Sequence, residues 1–298
     1  MSKQINVTFI GLGTMGYHMA GHLSKHPDVA VTVWNRSNEK GEKWQTQFNG
    51  TVAPTLFDAV QQADVVMSCA GKDEDMEEII LAKTGVYDAL KAGCIFVDHT
   101  TTSFKLANKL ETALAKKEVH FIDAPVSGGE AGAVNGCLTV MAGGEAEVLA
   151  KVEPLLKCYA KNITHIGTCG YGQLAKMTNQ ICIAGVLQGL SEALLFAEAE
   201  EIDVEKLLSA ISGGAAQSWQ MENRANTMHQ RDFDFGFAIK WMVKDLGYCL
   251  DRAAENKTDL SYTQQVYNKY VELISDGQGY MDTSALILAN QEKETNVH

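Results

Sequence analysis

The feature that most constrains the fold is Gly11-Leu12-Gly13-Thr14-Met15-Gly16. It lies directly between a β-rich run, Ile5 to Ile10, and a segment, Tyr17 to Ser24, that reads as a helix. A G-x-G-x-x-G triplet alone is a weak signal, but between a strand and a helix each glycine acquires a task. Gly11 makes a tight turn, Gly13 lets backbone approach a pyrophosphate, and Gly16 lets the helix pack closely on the strand. The helix N-terminus then faces the phosphates. A plain strand–turn–helix is the alternative.

A second strand, Val29 to Trp34, ends where a dinucleotide site for NAD carries an Asp or Glu, about twenty residues past the glycines. Here the chain reads Asn35-Arg36-Ser37. No carboxylate at this point repels a 2′-phosphate, and a guanidinium and a hydroxyl are there to bind one. NADP is expected over NAD; a solvated Arg36 is the alternative. Further strands are expected at Ala63–Ala70, Cys94–Asp98 and Val119–Ile122, with helical stretches between, which predicts a parallel sheet. Ligands of such sheets sit beyond the carboxyl ends of the strands. Ala70-Gly71, Thr100-Thr101 and the segment after Ile122 all fall there. Leu138–Ala142 and Ile163–Ile166 are expected to close one edge.

After Ile122 comes Asp123-Ala-Pro-Val-Ser-Gly-Gly129. Pro125 is expected to stop the ladder, leaving Ser127, Gly128 and Gly129 as a loop of one hydroxyl and nearly bare backbone. Such a loop can turn several donors toward an anion, although Ser-Gly-Gly is also an ordinary turn.

Past Gly167 the pattern changes. Gly170-Tyr-Gly172 opens a helical run to about Glu200, and no later segment reads clearly as a strand. Helices are expected at Val204–Ser212, Phe237–Asn256, Ser261–Ser275 and Thr283–Asn290. The fold class is therefore α/β, a Rossmann-type parallel-sheet domain over 1–167 and an all-helical domain over 168–298 built on a long inter-domain helix. On that helix Lys176, Asn179 and Gln180 share one face. Lys240 and Lys244 are one turn apart, with Asp245 beside the second. By composition alone each lysine reads as solvated.

Composition narrows the partners. The 298 residues are 46% hydrophobic and carry a formal net charge of −12, with no Lys/Arg-rich block. That argues against nucleic acid and anionic membrane surfaces. No apolar run approaches the ~18 residues of a membrane span. Seven scattered cysteines without a C-x-x-C pair argue against a disulfide framework or a zinc site. With no leader read at the N-terminus, the expectation is a cytoplasmic protein with reduced thiols and no metal.

Four ordered stretches resemble the β-hydroxyacid dehydrogenase family, which includes 3-hydroxyisobutyrate dehydrogenases and tartronate semialdehyde reductases. They are Phe9 to Gly16 with Met19-Ala20; Asp123 to Gly129 with Gly132-Ala133 and Gly136; Gly170-x-Gly172-x-x-x-Lys176-x-x-Asn179; and Lys244-Asp-Leu246. The resemblance implies that Lys176 is the catalytic acid/base, with Asn179 and Ser127-Gly128-Gly129 on substrate. It places Lys244 by the cofactor and Thr101 near the nicotinamide. It also implies a homodimer or homotetramer. The resemblance also implies cofactor contacts from the Ala70-Gly71 loop, extending to Asp75, although many members have Leu-Pro where this chain has Ala70-Gly71. Gln180 stands where many have a second Asn.

The implied chemistry is hydride exchange between NADP(H) and a small β-hydroxyacid or its semialdehyde, with a lysine exchanging the proton. Two rivals are a catalytically inactive NADP-binding scaffold and an imine reductase. A sugar-phosphate dehydrogenase is usually longer. Lys176 counts against all three. Glyoxylate, succinic semialdehyde, tartronate semialdehyde, 3-hydroxyisobutyrate and serine-like acids all fit a carboxylate anchor beside a carbonyl or hydroxyl.

Overall fold

The structure is a computed structural model and describes residues 4–291. The chain divides into two compact units, Met1–Lys176 and Met177–His298.

The first unit is built on one sheet. Its strands are β1 (Ile5–Ile10), β2 (Val29–Trp34), β3 (Thr51–Val52), β4 (Val65–Ser68), β5 (Ile95–Asp98), β6 (His120–Asp123), β7 (Val126–Ser127), β8 (Leu138–Gly143) and β9 (Ala160–Gly167). The spatial order is β3-β2-β1-β4-β5-β6-β8-β7, with β9 paired to β8. The first six strands in the chain are all parallel. That is the 3-2-1-4-5-6 order of a dinucleotide-binding fold, with its crevice at the carboxyl ends. β4 and β5 are buried along their whole length, as apolar strands covered on both faces must be.

The helices of this unit are α1 (Gly16–Leu23), α2 (Asn38–Gln45), α3 (Leu56–Val60), α4 (Asp73–Leu81), α5 (Phe104–Ala115), α6 (Gly129–Val134) and α7 (Ala146–Leu156). They enclose two apolar cores. One holds Phe9, Met19, Leu23, Trp44, Leu138 and Val152; the other holds Ile10, Val66, Ile79, Phe96, Leu110 and Phe121.

Beyond β6 the sheet is mixed. β8 runs antiparallel to β6 and β7, while β9 is parallel to β8. The connection from β7 to β8 through short α6 cannot make the crossover that a parallel pair requires. Pro125 does not end all pairing either: its carbonyl accepts from the Met141 amide at 3.1 Å, and Val126–Ser127 forms a short strand.

α8 (Tyr171–Ala199) starts in the first unit and continues into the second. The division into compact units falls inside it, after Lys176, and the amides at its start are tied to the sheet. α8 is also long and apolar enough, by length and composition, to cross a membrane. Run lengths in the sequence do not show this, because Gln, Ser and Glu break each run while the average stays apolar. Ala184, Leu187, Leu190 and Leu194 are buried in the protein, as in a core helix.

The second unit adds α9 (Val204–Ile211), α10 (Trp219–Gln230), α11 (Ile239–Asn256), α12 (Ser261–Ser275) and a 3₁₀ helix, Thr283–Asn290. The sequence reading misses α10, whose polar composition hides a sparse stripe of Met221, Ala225 and Met228, all buried. Its cap was there to be read: the Ser218 hydroxyl accepts from the Met221 amide at 3.0 Å. The last helix is tight rather than α. Asp282 caps it, with Oδ1 accepting from both Ser284 N–H and Ser284 Oγ–H.

Candidate active site

The sheet brings the ends of β1, β2, β4, β5 and β6 to one edge. At β1, a Cβ added to Gly16 would run into the Gly11 carbonyl oxygen, and one on Gly11 into that of Cys69. A Cβ on Gly13 would meet nothing within 4 Å. The backbone is therefore packed where the helix meets the strand and open where a phosphate would approach. Leu12 is buried, Gly13 and Met15 half-buried, and Thr14 exposed. The Leu12 amide donates to Asn35 Oδ1 at 2.9 Å, and Asn35 Nδ2 donates to the Ser37 carbonyl at 3.1 Å. Asn35 thus ties the glycine loop to the end of β2.

Arg36 overturns one expectation. The end of β2 is not free of carboxylates. Arg36 Nη2 donates to Asp75 Oδ1 at 2.9 Å and lies 3.5 Å from Glu78 Oε2. Both acids come from α4, distant in sequence and adjacent in space. The Arg36 side chain is 70% exposed and that of Asp75 22%, so the pair contributes little stability, about 0–1 kcal/mol. Ser37 is exposed beside it at the start of α2, and its side chain makes no capping bond.

The ends of β4 and β5 are tied together. The Ala70 amide donates to Thr100 Oγ1 at 2.9 Å. Asp98 Oδ1 accepts from Ser68 Oγ at 2.8 Å and from the Thr100 amide at 2.9 Å. Gly71 and Thr101 are half-buried on this rim. His99 points inward: its Nδ1–H donates to the Ala124 carbonyl at 2.7 Å, leaving Nε2, 2.8 Å from the Tyr159 hydroxyl, as the acceptor. Burial pushes this imidazole down to about 4, against the pull of the Ala124 carbonyl. It is neutral and ties the end of β5 to that of β6.

Asp123 ends β6 and is fully buried. Its Oδ1 accepts from the Gly170 amide at 2.7 Å and its Oδ2 from the Gln173 amide at 2.8 Å. It therefore caps the start of α8 from across the sheet. Burial raises its carboxyl to about 7; the Gly170 and Gln173 N–H groups pull down and Asp98 pushes up. Lys176, buried, follows on the next turn of α8.

The Ser127 segment is more ordered than the expected loop. Ser127 is half-buried in β7, opposite Thr139, while Gly128 and Gly129 are exposed and Gly129 opens α6. Gly128, at φ 126°, has a backbone that only glycine adopts readily.

In the second unit a polar chain joins α8 to α11. Asn179 Nδ2 donates to Gln180 Oε1 at 2.8 Å, and Gln180 Nε2 donates to Asp245 Oδ2 at 2.7 Å. Lys244 Nζ lies 3.2 Å from Asp245 Oδ1. Two residues chosen from separate motifs, Asn179 and Lys244, are thus linked through Gln180 and Asp245.

Comparison with known proteins agrees with this architecture. Residues 6–167 match the NAD-binding domain of 6-phosphogluconate dehydrogenase. Residues 170–289 match the NAD-binding domain of NADP-dependent 3-hydroxyisobutyrate dehydrogenase. The chain belongs to the β-hydroxyacid dehydrogenase family. Among its family relatives, an uncharacterized oxidoreductase of Shewanella frigidimarina is 47% identical over 96% of this chain and 98% of its own. The 2-hydroxy-3-oxopropionate reductase of Escherichia coli is 32% identical over 94% of this chain and 95% of its own. The solved structure of Mycobacterium tuberculosis 3-hydroxyisobutyrate dehydrogenase with L-serine superposes with a TM-score of 0.87 at 25% identity, covering 97% and 99% of the two chains. As a family member the protein is an NAD(P)-dependent hydroxyacid dehydrogenase, an oxidoreductase with a dinucleotide-binding first domain.

Within this β-hydroxyacid dehydrogenase, the sequence reading leaves two groups without a role. Asp123 opens the central motif, and Gln173 lies between Gly172 and Lys176. An acid at the end of a buried strand was the available signal, since such a group must find donors. Where those donors lie was not legible.

Proposed function

We propose that this dehydrogenase uses NADP(H) to interconvert a small β-hydroxyacid and its semialdehyde, with Lys176 as general acid/base. The observation that carries the reading is the anchorage of α8. The helix bearing Lys176 is tied, through Asp123, to the sheet edge at which a dinucleotide binds in this fold.

The residues fit the cofactor. The space in front of Gly13 would admit a pyrophosphate to the backbone of Gly11 to Gly16. Arg36 and Ser37 would hold a 2′-phosphate, but Arg36 must first exchange Asp75 for it, so Asp75 and Glu78 weaken a preference that Arg36 creates. Ala70, Gly71 and Thr101 would line the nicotinamide side, and Lys244 would contact the cofactor. When bound, NADP(H) supplies or accepts the hydride.

Everything else falls to the chain. Ser127 and the Gly128 and Gly129 amides would hold the substrate carboxylate. Glu130 follows in the first turn of α6, so the anion is held by N–H and O–H donors rather than by net positive charge. Asn179 would orient the substrate. Lys176 donates a proton to the carbonyl oxygen during reduction and accepts one from the hydroxyl during oxidation.

The test is NADPH consumption by the purified protein with glyoxylate, succinic semialdehyde and tartronate semialdehyde, beside the same assay of Lys176→Met. Titration of each protein with NADPH gives the affinity. Turnover lost with affinity kept is expected. Wild-type-like turnover by Lys176→Met overturns the role of the lysine, and lost affinity moves it to cofactor attachment.

A further inference from the structure

Two buried groups at the start of α8 take no part in the proposed chemistry. Asp123 is one, receiving the Gly170 and Gln173 amides at 2.7 and 2.8 Å. The Gln173 side chain is the other, and it is fully buried. Its Oε1 accepts from the Thr102 amide at 3.0 Å, and its Nε2 donates to the Thr100 carbonyl at 2.8 Å. The two bonds bracket Thr101, the residue expected beside the nicotinamide.

Helix and sheet approach each other closely here. A Cβ on Gly172 would lie 2.6 Å from the Asp123 carbonyl oxygen and 2.5 Å from that of Met141. A helix start pressed this near the strand ends can be held to them by direct bonds, without bridging water. Lys176 lies three residues beyond Gln173, and residues at that spacing share a helix face. The face that carries the lysine is therefore the face bolted to the Thr100–Thr102 segment.

We infer that Asp123 and Gln173 are positioning residues that lock the first turn of α8 onto the ends of β5 and β6, holding Lys176 in register with Thr101. Asp123 sets the height and direction of the helix through its amides. Gln173 sets its rotation, because a side chain bonded at both ends prevents the helix from turning about its axis. A catalytic group misplaced by about 1 Å can cost on the order of 10²-fold in rate, so a loosened clamp is read in turnover. The inference rests on the proposed role of Lys176.

The experiment compares four full-length proteins: wild type, Lys176→Met, Gln173→Leu and Asp123→Asn. The substrate is whichever aldehyde of the panel wild type turns over fastest. For each protein kcat, KM and the NADPH dissociation constant by fluorescence titration are measured, with circular dichroism confirming the fold. Leu fills the space of Gln173 but makes neither bond; Asn keeps one acceptor of Asp123 and presents a donor to the other amide. Both are expected to lose about tenfold or more in kcat, with KM within about threefold and NADPH affinity within about twofold. Folded Gln173→Leu with wild-type kcat overturns the inference, as does a loss of NADPH affinity matching the loss of kcat. If Asp123→Asn does not fold, Gln173→Leu decides alone. Active Lys176→Met fails the functional reading instead; inactive Lys176→Met beside fully active Gln173→Leu fails only this one.

Discussion

Asp123 and Asp75 each hold a partner at the carboxyl edge of the same sheet, in opposite surroundings. Asp123 is buried and bonded to two backbone amides. Asp75 is partly exposed and bonded to a guanidinium that is itself mostly in water. The guanidinium carries a full charge and the amides do not, yet the amide pair matters more to the fold. Water screens the exposed ion pair and competes for both partners. No water relieves Asp123, so its donors must be fixed or the carboxylate is left with a large desolvation cost. Burial, rather than formal charge, decides which carboxylate organises structure and which one tunes binding.

The sharpest way to break that comparison lies in the helix that Asp123 caps. Lys176→Met is expected to lower turnover by about 10²–10⁴-fold with NADPH affinity retained. If turnover persists, the Asp123 anchorage serves stability alone.

Next is the pH dependence of stability. The folded carboxyl of Asp123 is raised to about 7 from 3.8, so between these values the folded state binds a proton that the unfolded state has lost. Its contribution is full below the unfolded value and is lost as pH rises through about 7, by up to about 4 kcal/mol. His99 has the opposite sign. Its folded pKa is lowered from 6.5 to about 4, so stability from this group rises with pH across that window. In wild type the two slopes offset each other between about pH 4 and 6.5. Asp123→Asn removes one of them. Denaturant titrations at stepped pH should show the stability of the variant rising with pH more steeply than that of wild type. Parallel curves would mean that Asp123 is ionised throughout.

Smaller effects are expected at the exposed site. Arg36→Ala should weaken NADPH binding by about tenfold or more, from the loss of a charge-assisted contact of about 1.5–3 kcal/mol, and leave NADH nearly unchanged. Equal losses for both cofactors would remove the 2′-phosphate assignment. Smallest of all, Asp75→Asn should change stability by less than about 0.5 kcal/mol while tightening NADPH binding a few-fold, because Arg36 no longer has to leave the nearer of its two acidic partners. Weaker NADPH binding in this variant would show that Asp75 supports the cofactor rather than competing for Arg36.

The first unit was largely legible because its signals are local. Gly11, Gly13 and Gly16 sit within six residues of one another, and the apolar runs of β1, β4 and β5 announce buried strands. Much of the second unit was legible from helical spacing. α10 escaped because Met221, Ala225 and Met228 are too few to stand out in a polar segment. The carboxylates beside Arg36 escaped because a reading along the end of β2 does not reach α4.

From the sequence alone come the class of fold, the order of the motifs, the family and the residue types needed for hydride and proton exchange. These follow from short-range patterns, in which each residue's neighbours along the chain state its task. Only the tertiary structure decided that Asp123 caps a helix far along the chain, that Gln173 grips both sides of Thr101, and that Asp75 and Glu78 hold Arg36. The reason is physical: a buried polar group must be satisfied, and its partner is set by what the packed sheet brings within hydrogen-bond reach, not by what lies next to it in the chain.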